Sequence, residues 1–203
     1  MDTHTHLQQV GLKEMEMNEL PKINEMSIAT TLPVFWCSLD KHLDKLMLAR
    51  IGIDELRQTH PESTPSNVKA VYMSPWKSHT LTPKFTPMVG IVTEIAKEIS
   101  RTSLKADLVH LNFDLVVTDC WGVIYQGADH TMLHTHFPAD FSAVIYLEAG
   151  DDCAPIVFGN GIAVKPQAGL LVIFPGIMPH AVPENHDRRV VLAMNLNKLP
   201  KFA

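Results

Sequence analysis

The sequence predicts a mainly β protein with helices in its N-terminal half, and three observations carry that reading. From Asp107 onward, runs of roughly four to eight apolar and β-branched residues alternate with Gly, Pro, Asp and Asn turns. Before that point, two stretches repeat apolar residues at helical spacing. The chain has 203 residues, 46% hydrophobic and 19% charged, which suits a single domain with its own core. About eight short strands in one run predict a jelly roll.

Residues 1–25 are polar and Met-rich, with Pro21 interrupting them, and are expected to form a flexible or helical N-terminal arm. His4 and His6 read there as part of a solvated terminus. Residues 27–106 form a helical support region. Within it Ser27–Trp36 reads as a strand that Pro33 pushes towards an edge. Ser38 then caps a helix whose buried face should be Leu39, Leu43, Leu46, Met47 and Ile51, with His42 facing solvent. Residues 60–84 hold Pro61, Pro65, Pro75 and Pro83 among Ser and Thr. They predict a loop with one short strand near Val68–Met73, carrying Trp76 and His79. Thr86-Pro87 opens a second helix, with Thr as N-cap, Pro in first position and Val89, Val92, Ile95, Ala96 and Ile99 as the apolar stripe. Two helices ahead of a long β region should pack on the outside of a sheet.

The β core spans 107–196. Its expected strands are Leu108–Phe113, Leu115–Tyr125, Phe141–Leu147, Ile156–Phe158, Ile162–Lys165, Leu170–Phe174, His180–Val182 and Val190–Asn195.

Several functions are disfavoured by composition. A net charge of −5 argues against nucleic acid, because phosphate binding needs a basic surface. Cys37, Cys120 and Cys153 are odd in number and far apart, so they suggest a reducing cytoplasm rather than a disulfide framework. No apolar run approaches a membrane span and no signal-peptide core is present, which again points to the cytoplasm.

The chemistry-bearing residues fall in the last third. His134 and His136 lie one residue apart, a spacing that puts both imidazoles on one side of a strand. His180 follows 44 residues after His136, beyond the Pro175-Gly176 turn. Three neutral imidazoles can hold a divalent metal with coordination positions left open. Arg188 and Arg189 open an apolar strand, so one of them should face inward towards an anionic ligand. A salt bridge to Asp187 is the alternative. Tyr125 can donate to a ligand carboxylate or simply pack in the core. Asp140, four residues after His136, is either a further ligand or a turn residue.

These residues lead to a resemblance. Trp121-Gly-Val-Ile-Tyr125, His134-Thr-His136, Phe141-Ser-Ala-Val-Ile-Tyr-Leu147, Gly169-Leu-Leu-Val-Ile-Phe-Pro175, His180, Val182-Pro183, Arg189 and Asn195 resemble, in order and spacing, the 2-oxoglutarate- and iron(II)-dependent oxygenases of bacteria and phages. The likeness covers about residues 115–196. It implies a double-stranded β-helix, a cupin-like form of the jelly roll. It also implies Fe(II) held by His134, His136 and His180. The far carboxylate of 2-oxoglutarate would pair with Arg189, with Tyr125 as second donor and Arg188 outside. The implied function is a dioxygenase hydroxylating a small-molecule or protein substrate. The chain departs from the common pattern at His136, where most such oxygenases carry Asp or Glu.

A degenerate pair of cupin motifs also fits, with Asp140 in place of the usual Glu. That reading gives a metal-dependent enzyme or binding protein that does not use 2-oxoglutarate. A non-catalytic β module that binds no metal is a third reading. A homodimer could form through an edge strand such as Ser27–Trp36.

Overall fold

The structure, a computed structural model, describes residues 24–108, 110–159 and 161–201. The chain divides into two compact units, Met1–Thr31 and Leu32–Ala203. In the first, residues 24–31 carry no regular secondary structure. The expected arm up to residue 23, with His4 and His6, lies outside the described residues.

The second unit holds, in order, β1 (Phe35–Ser38), α1 (Leu43–Thr59), β2 (Val68–Lys69), β3 (Tyr72–Met73), α2 (Ser78–Leu81), α3 (Thr86–Thr102), β4 (Phe113–Tyr125), β5 (His130–His134), β6 (Phe141–Ala149), β7 (Ile156–Phe158), β8 (Ile162–Val164), β9 (Leu170–Pro175), β10 (His180–Val182) and β11 (Arg189–Pro200). They make two antiparallel sheets, ordered β1-β9-β6-β11-β4-β3 and β2-β5-β10-β7-β8. The last eight strands supply four neighbours to each sheet, β9-β6-β11-β4 and β5-β10-β7-β8. From β4 to β11 the chain crosses between the sheets at every step except the β7–β8 hairpin. This is a double-stranded β-helix, the jelly roll expected from the sequence.

Strand alternation sorts β4 between two cores. Cys120 and Ile124 face the helices, where they meet Ile53, Phe85, Met88 and Val92. Trp121, Val123 and Tyr125 face the space between the sheets, with Tyr146, Phe174 and Val191. Gly122 sits on the helix side, where a Cβ would come 2.5 Å from Ile53 Cγ1. The absent side chain lets α1 lie close against the sheet.

That close approach explains the first correction. The face α1 buries is Leu46, Ala49, Gly52, Ile53 and Leu56. Leu43, Met47 and Ile51 are 64, 63 and 42% exposed, although Leu39 is buried as expected. Both stripes satisfy helical periodicity, but contact with the sheet and with Phe85 requires small residues, and only one stripe has Ala49 and Gly52. His42 is half-buried rather than solvent-facing. Ser38 does accept a bond, from Asp40 N at 3.1 Å, but a 3-10 turn over Asp40–His42 separates it from α1.

The other differences are of extent. The strand expected over Ser27–Trp36 is β1 alone, an edge strand on β9. Leu108–Phe113 is not a strand: Leu111 N and Phe113 N bond back to Asp107 O and Leu108 O, and Asn112 has a φ of 58°. Thr86 is inside α3, and the cap before it is Thr82, which accepts from Lys84 N. In α3 the expected Val92 and Ala96 are buried together with Met88 and Ser100, and the expected Val89, Ile95 and Ile99 are partly buried beside them.

Candidate metal centre

β5 ends and β10 begins at the same level. His134 and His180 are direct partners in that antiparallel register. Their rings lie 4.2 Å apart, centroid to centroid. Each makes the same local bond, from Nδ1 to the carbonyl two residues earlier: Met132 O at 2.8 Å for His134 and Met178 O at 3.0 Å for His180. A carbonyl only accepts, so Nδ1 carries the proton in both rings and Nε2 is left with its lone pair.

His136 is not on the strand that carries His134, as its spacing suggested. It lies two residues past the end of β5, in a turn. Backbone bonds fix that turn: His136 N donates to Gly176 O at 2.7 Å, and Gly176 N donates to Asp140 O at 3.1 Å. The contact needs glycine, because a Cβ on Gly176 would fall 2.1 Å from Ala139 O. The turn brings His136 Nε2 to 3.2 Å from His134 Nε2. Its ring stacks on His180 at 5.1 Å and 10°. One nitrogen from each of the three rings lies within 4.8 Å of the others.

The surroundings keep these imidazoles neutral. Burial pushes the His136 pKa down to about 3, helped by the neighbouring His180 and His134, with a bond to the Asn195 side chain acting the other way. Burial also pushes His180 down to about 4 and lowers His134. Trp121 stacks on His136 at 5.8 Å, and Phe174 lies edge-on to His180 at 4.7 Å. Three neutral rings with converging lone pairs are a donor set that fits a divalent ion.

Arg189 opens β11, opposite Tyr125 on β4 and Ala149 on β6. It is 1% exposed. Its Nη1 donates to Ala154 O at 3.0 Å, its Nε has no partner, and its guanidinium carbon lies 4.1 Å over the Tyr125 ring. The alternative pairing with Asp187 does not form. Asp187 accepts from Arg188 N, and Arg188 Nε reaches Glu148 at 2.9 Å. Glu148 also binds Arg50. Among the described residues Arg189 is therefore a buried cation without a carboxylate. The Tyr125 hydroxyl bonds Thr131 Oγ1 at 2.8 Å. Burial raises its pKa and the nearby guanidinium opposes that rise.

One internal cavity is lined by His134, His136 and His180 and also by Tyr125 and Arg189. Trp121, against His136, and Tyr125, under Arg189, are four residues apart on β4, about 13 Å of strand at about 3.3 Å per residue. Val123, Val144, Ile156 and Val191 make the wall apolar. The cavity is narrow, about 50 Å³, with the imidazoles and the guanidinium on its wall. Asp140 takes no part: its carboxylate accepts from Lys198 N at 2.7 Å and pairs with Lys198 Nζ at 2.8 Å.

The structure thus places His134, His136, His180, Tyr125 and Arg189 around one cavity and leaves Arg188 and Asp140, paired with Glu148 and Lys198, outside it. It adds four that were not assigned roles: Trp121, Asn195, Gly176 and Trp76. Asn195 was accessible by counting, since it lies six residues after Arg189 and so on the same face of the strand. Trp76 meets Trp121 edge-on at 4.7 Å, a contact between distant segments that local spacing does not reveal.

No family model matches the chain, and no curated protein matches it. Solved structures do match in fold. A Pseudomonas putida prolyl-4-hydroxylase superposes with a TM-score of 0.59 at 17% identity, over 82% of this chain and 93% of its own. A Trichoplax adhaerens prolyl hydroxylase, in complex with a hypoxia inducible factor peptide fragment, gives 0.60 at 12% identity, over 81 and 83%. SnoN, a non-heme alpha ketoglutarate dependent epimerase from nogalamycin biosynthesis, gives 0.63 at 10% identity, over 80 and 76%. At these identities the likeness establishes the double-stranded β-helix.

Proposed function

We propose that this chain is an iron(II)- and 2-oxoglutarate-dependent dioxygenase that hydroxylates an organic or protein substrate. One observation carries the reading: a single cavity holds three neutral imidazoles and a buried guanidinium with no protein carboxylate. An unpaired buried cation is costly, and an anionic ligand offsets that cost. The fold likeness to prolyl hydroxylases and to an alpha ketoglutarate dependent epimerase supports the same assignment.

In this reading Nε2 of His134, His136 and His180 hold the metal. The carbonyls of Met132 and Met178 keep two of the rings in the required tautomer. Arg189 clamps the far carboxylate of 2-oxoglutarate, and the Tyr125 hydroxyl turns from Thr131 to donate a second bond. The aliphatic walls keep water from the space between. Iron(II) with 2-oxoglutarate supplies the oxidising chemistry, and the protein orients both and limits side reactions. With His136 in place of a carboxylate, the protein ligands carry no negative charge. Asp140, bound to Lys198, does not replace it, so the cupin reading loses its fourth ligand. No described helix is long and apolar enough to cross a membrane; we place the enzyme in the cytoplasm on a different ground, that Cys37, Cys120 and Cys153 are all free thiols.

The test is anaerobic titration of the iron(II)-loaded protein with 2-oxoglutarate, followed by visible absorbance. A weak metal-to-ligand charge-transfer band is expected. Bound iron with no band would overturn the reading.

A further inference from the structure

We propose that the mouth of this cavity selects a substrate bearing a basic side chain, with Asp119 receiving its positive charge and Trp76 offering a ring face. The proposal rests on the oxygenase reading and deepens it by naming a substrate class.

Asp119 lies on β4, opposite Asn195 in register and two residues before Trp121. It therefore belongs to the face that carries the imidazole-contacting side chains. A cleft of about 460 Å³, within the usual range of ligand sites, is lined by Asp119, Trp76, His134, His136, Phe137 and Asn197. It reaches two of the three imidazoles from the outside, where a substrate must approach. Trp76 is fixed there by its contact with Trp121 and by its carbonyl, which accepts from Cys120 N at 2.8 Å.

The carboxylate of Asp119 is oriented but not neutralised. Thr118 Oγ1 donates to its Oδ2 at 3.1 Å, and Asn197 Nδ2 donates to Thr118 Oγ1 at 2.7 Å. Among the described residues no lysine, arginine or histidine forms an ion pair with it, the exposed Lys77 included. Asp140, near the same turn, is by contrast bound to Lys198. In this reading the charge of the divalent ion on the neutral imidazoles is offset by the 2-oxoglutarate dianion, so the free carboxylate leaves the mouth negative, and the chain as a whole carries −5. Such a mouth attracts cations, and a Trp face adds a cation–π contact.

The test uses the full chain loaded with zinc(II) and saturated with 2-oxoglutarate, so that the metal is held without oxidation and its open positions are not chelated by the amino and carboxylate groups of the probes. Binding is followed by tryptophan fluorescence with L-lysine, L-arginine, the capped peptides acetyl-Gly-Lys-Gly-amide and acetyl-Gly-Arg-Gly-amide, and neutral L-norleucine. At least one basic probe is expected to bind tenfold or more tightly than norleucine. That preference should disappear in Asp119→Asn and weaken in Trp76→Leu. Tighter binding of a free amino acid identifies a small-molecule substrate, and tighter binding of a peptide identifies a polypeptide. No preference in the wild-type chain, or a preference that survives in Asp119→Asn, overturns the proposal. The wild-type comparison needs no variant to fold. Failure of the 2-oxoglutarate band with iron would instead sink the oxygenase reading, and zinc fluorescence separates the two.

Discussion

His134 and His180 oppose each other across β5 and β10, each tied through Nδ1 to the carbonyl two residues before it. Two strand ends of one sheet thus aim two Nε2 lone pairs at the same point, and the Gly176 contact swings His136 in as the third. His180→Ala removes one of three donors and leaves a small space on a buried strand. We expect loss of metal retention with the fold preserved. Metal content per chain and far-ultraviolet circular dichroism check this, and full occupancy in the variant would remove His180 from the site.

Arg189→Ala removes the buried guanidinium. We expect 2-oxoglutarate binding to weaken by about 2–5 kcal/mol, the usual loss when one partner of a buried charge pair is deleted. Calorimetry on the metal-loaded protein measures it. Unchanged affinity would mean that the carboxylate binds elsewhere.

The parts of this arrangement that the sequence disclosed are those encoded by period 2. Arg189 facing inward with Arg188 outward follows from alternation along a short segment, whereas His136 joins His134 through the turn that Gly176 holds and not through the strand alternation its spacing suggested. Ile156–Phe158 and His180–Val182 are strands over the expected residues. What stayed hidden depends on non-local packing. β2 and β3 are two residues each and exist because β5 and β4 accept them. The face of α1 is chosen by Gly122 on a distant strand, not by the apolarity of Leu43, Met47 and Ile51. β5 is missing from the expected strands because His130-Thr-Met-Leu-His134 has one β-branched residue, Thr131, which is also its only buried one. Asp119 carries no local motif and acquires its place only when β4 pairs with β11.

Gly176→Ala tests how the third imidazole is positioned. The added methyl would sit 2.1 Å from Ala139 O, so the turn carrying His136 must move. We expect a stability loss of about 1–3 kcal/mol, typical of overpacking, and weaker metal binding than in the wild type. Urea unfolding and competition with a chelator give the two values. A variant with wild-type metal affinity would show that His136 reaches the metal without this contact.

The metal-free protein should lose stability as pH falls below neutrality. In the unfolded chain each histidine titrates near the ordinary value of about 6.5. In the folded chain burial holds His136 down to about 3 and His180 down to about 4. Above about pH 6.5 neither state binds these protons, and stability does not depend on them. Between about pH 6.5 and 4 the unfolded chain takes up protons that the folded chain refuses, so stability falls with pH by up to about 1.4 kcal/mol per unit for each group. Below about pH 3 the folded chain binds them too and this contribution to the slope ends. Carboxylates elsewhere also titrate towards the acid end, so the comparison is with His136→Asn and His180→Asn. Urea unfolding at pH 7.5, 6.0 and 5.0 should give flatter lines for both variants than for the wild type. Equal slopes would mean that the imidazoles are solvated in the metal-free state and that the cavity opens to water without its ion.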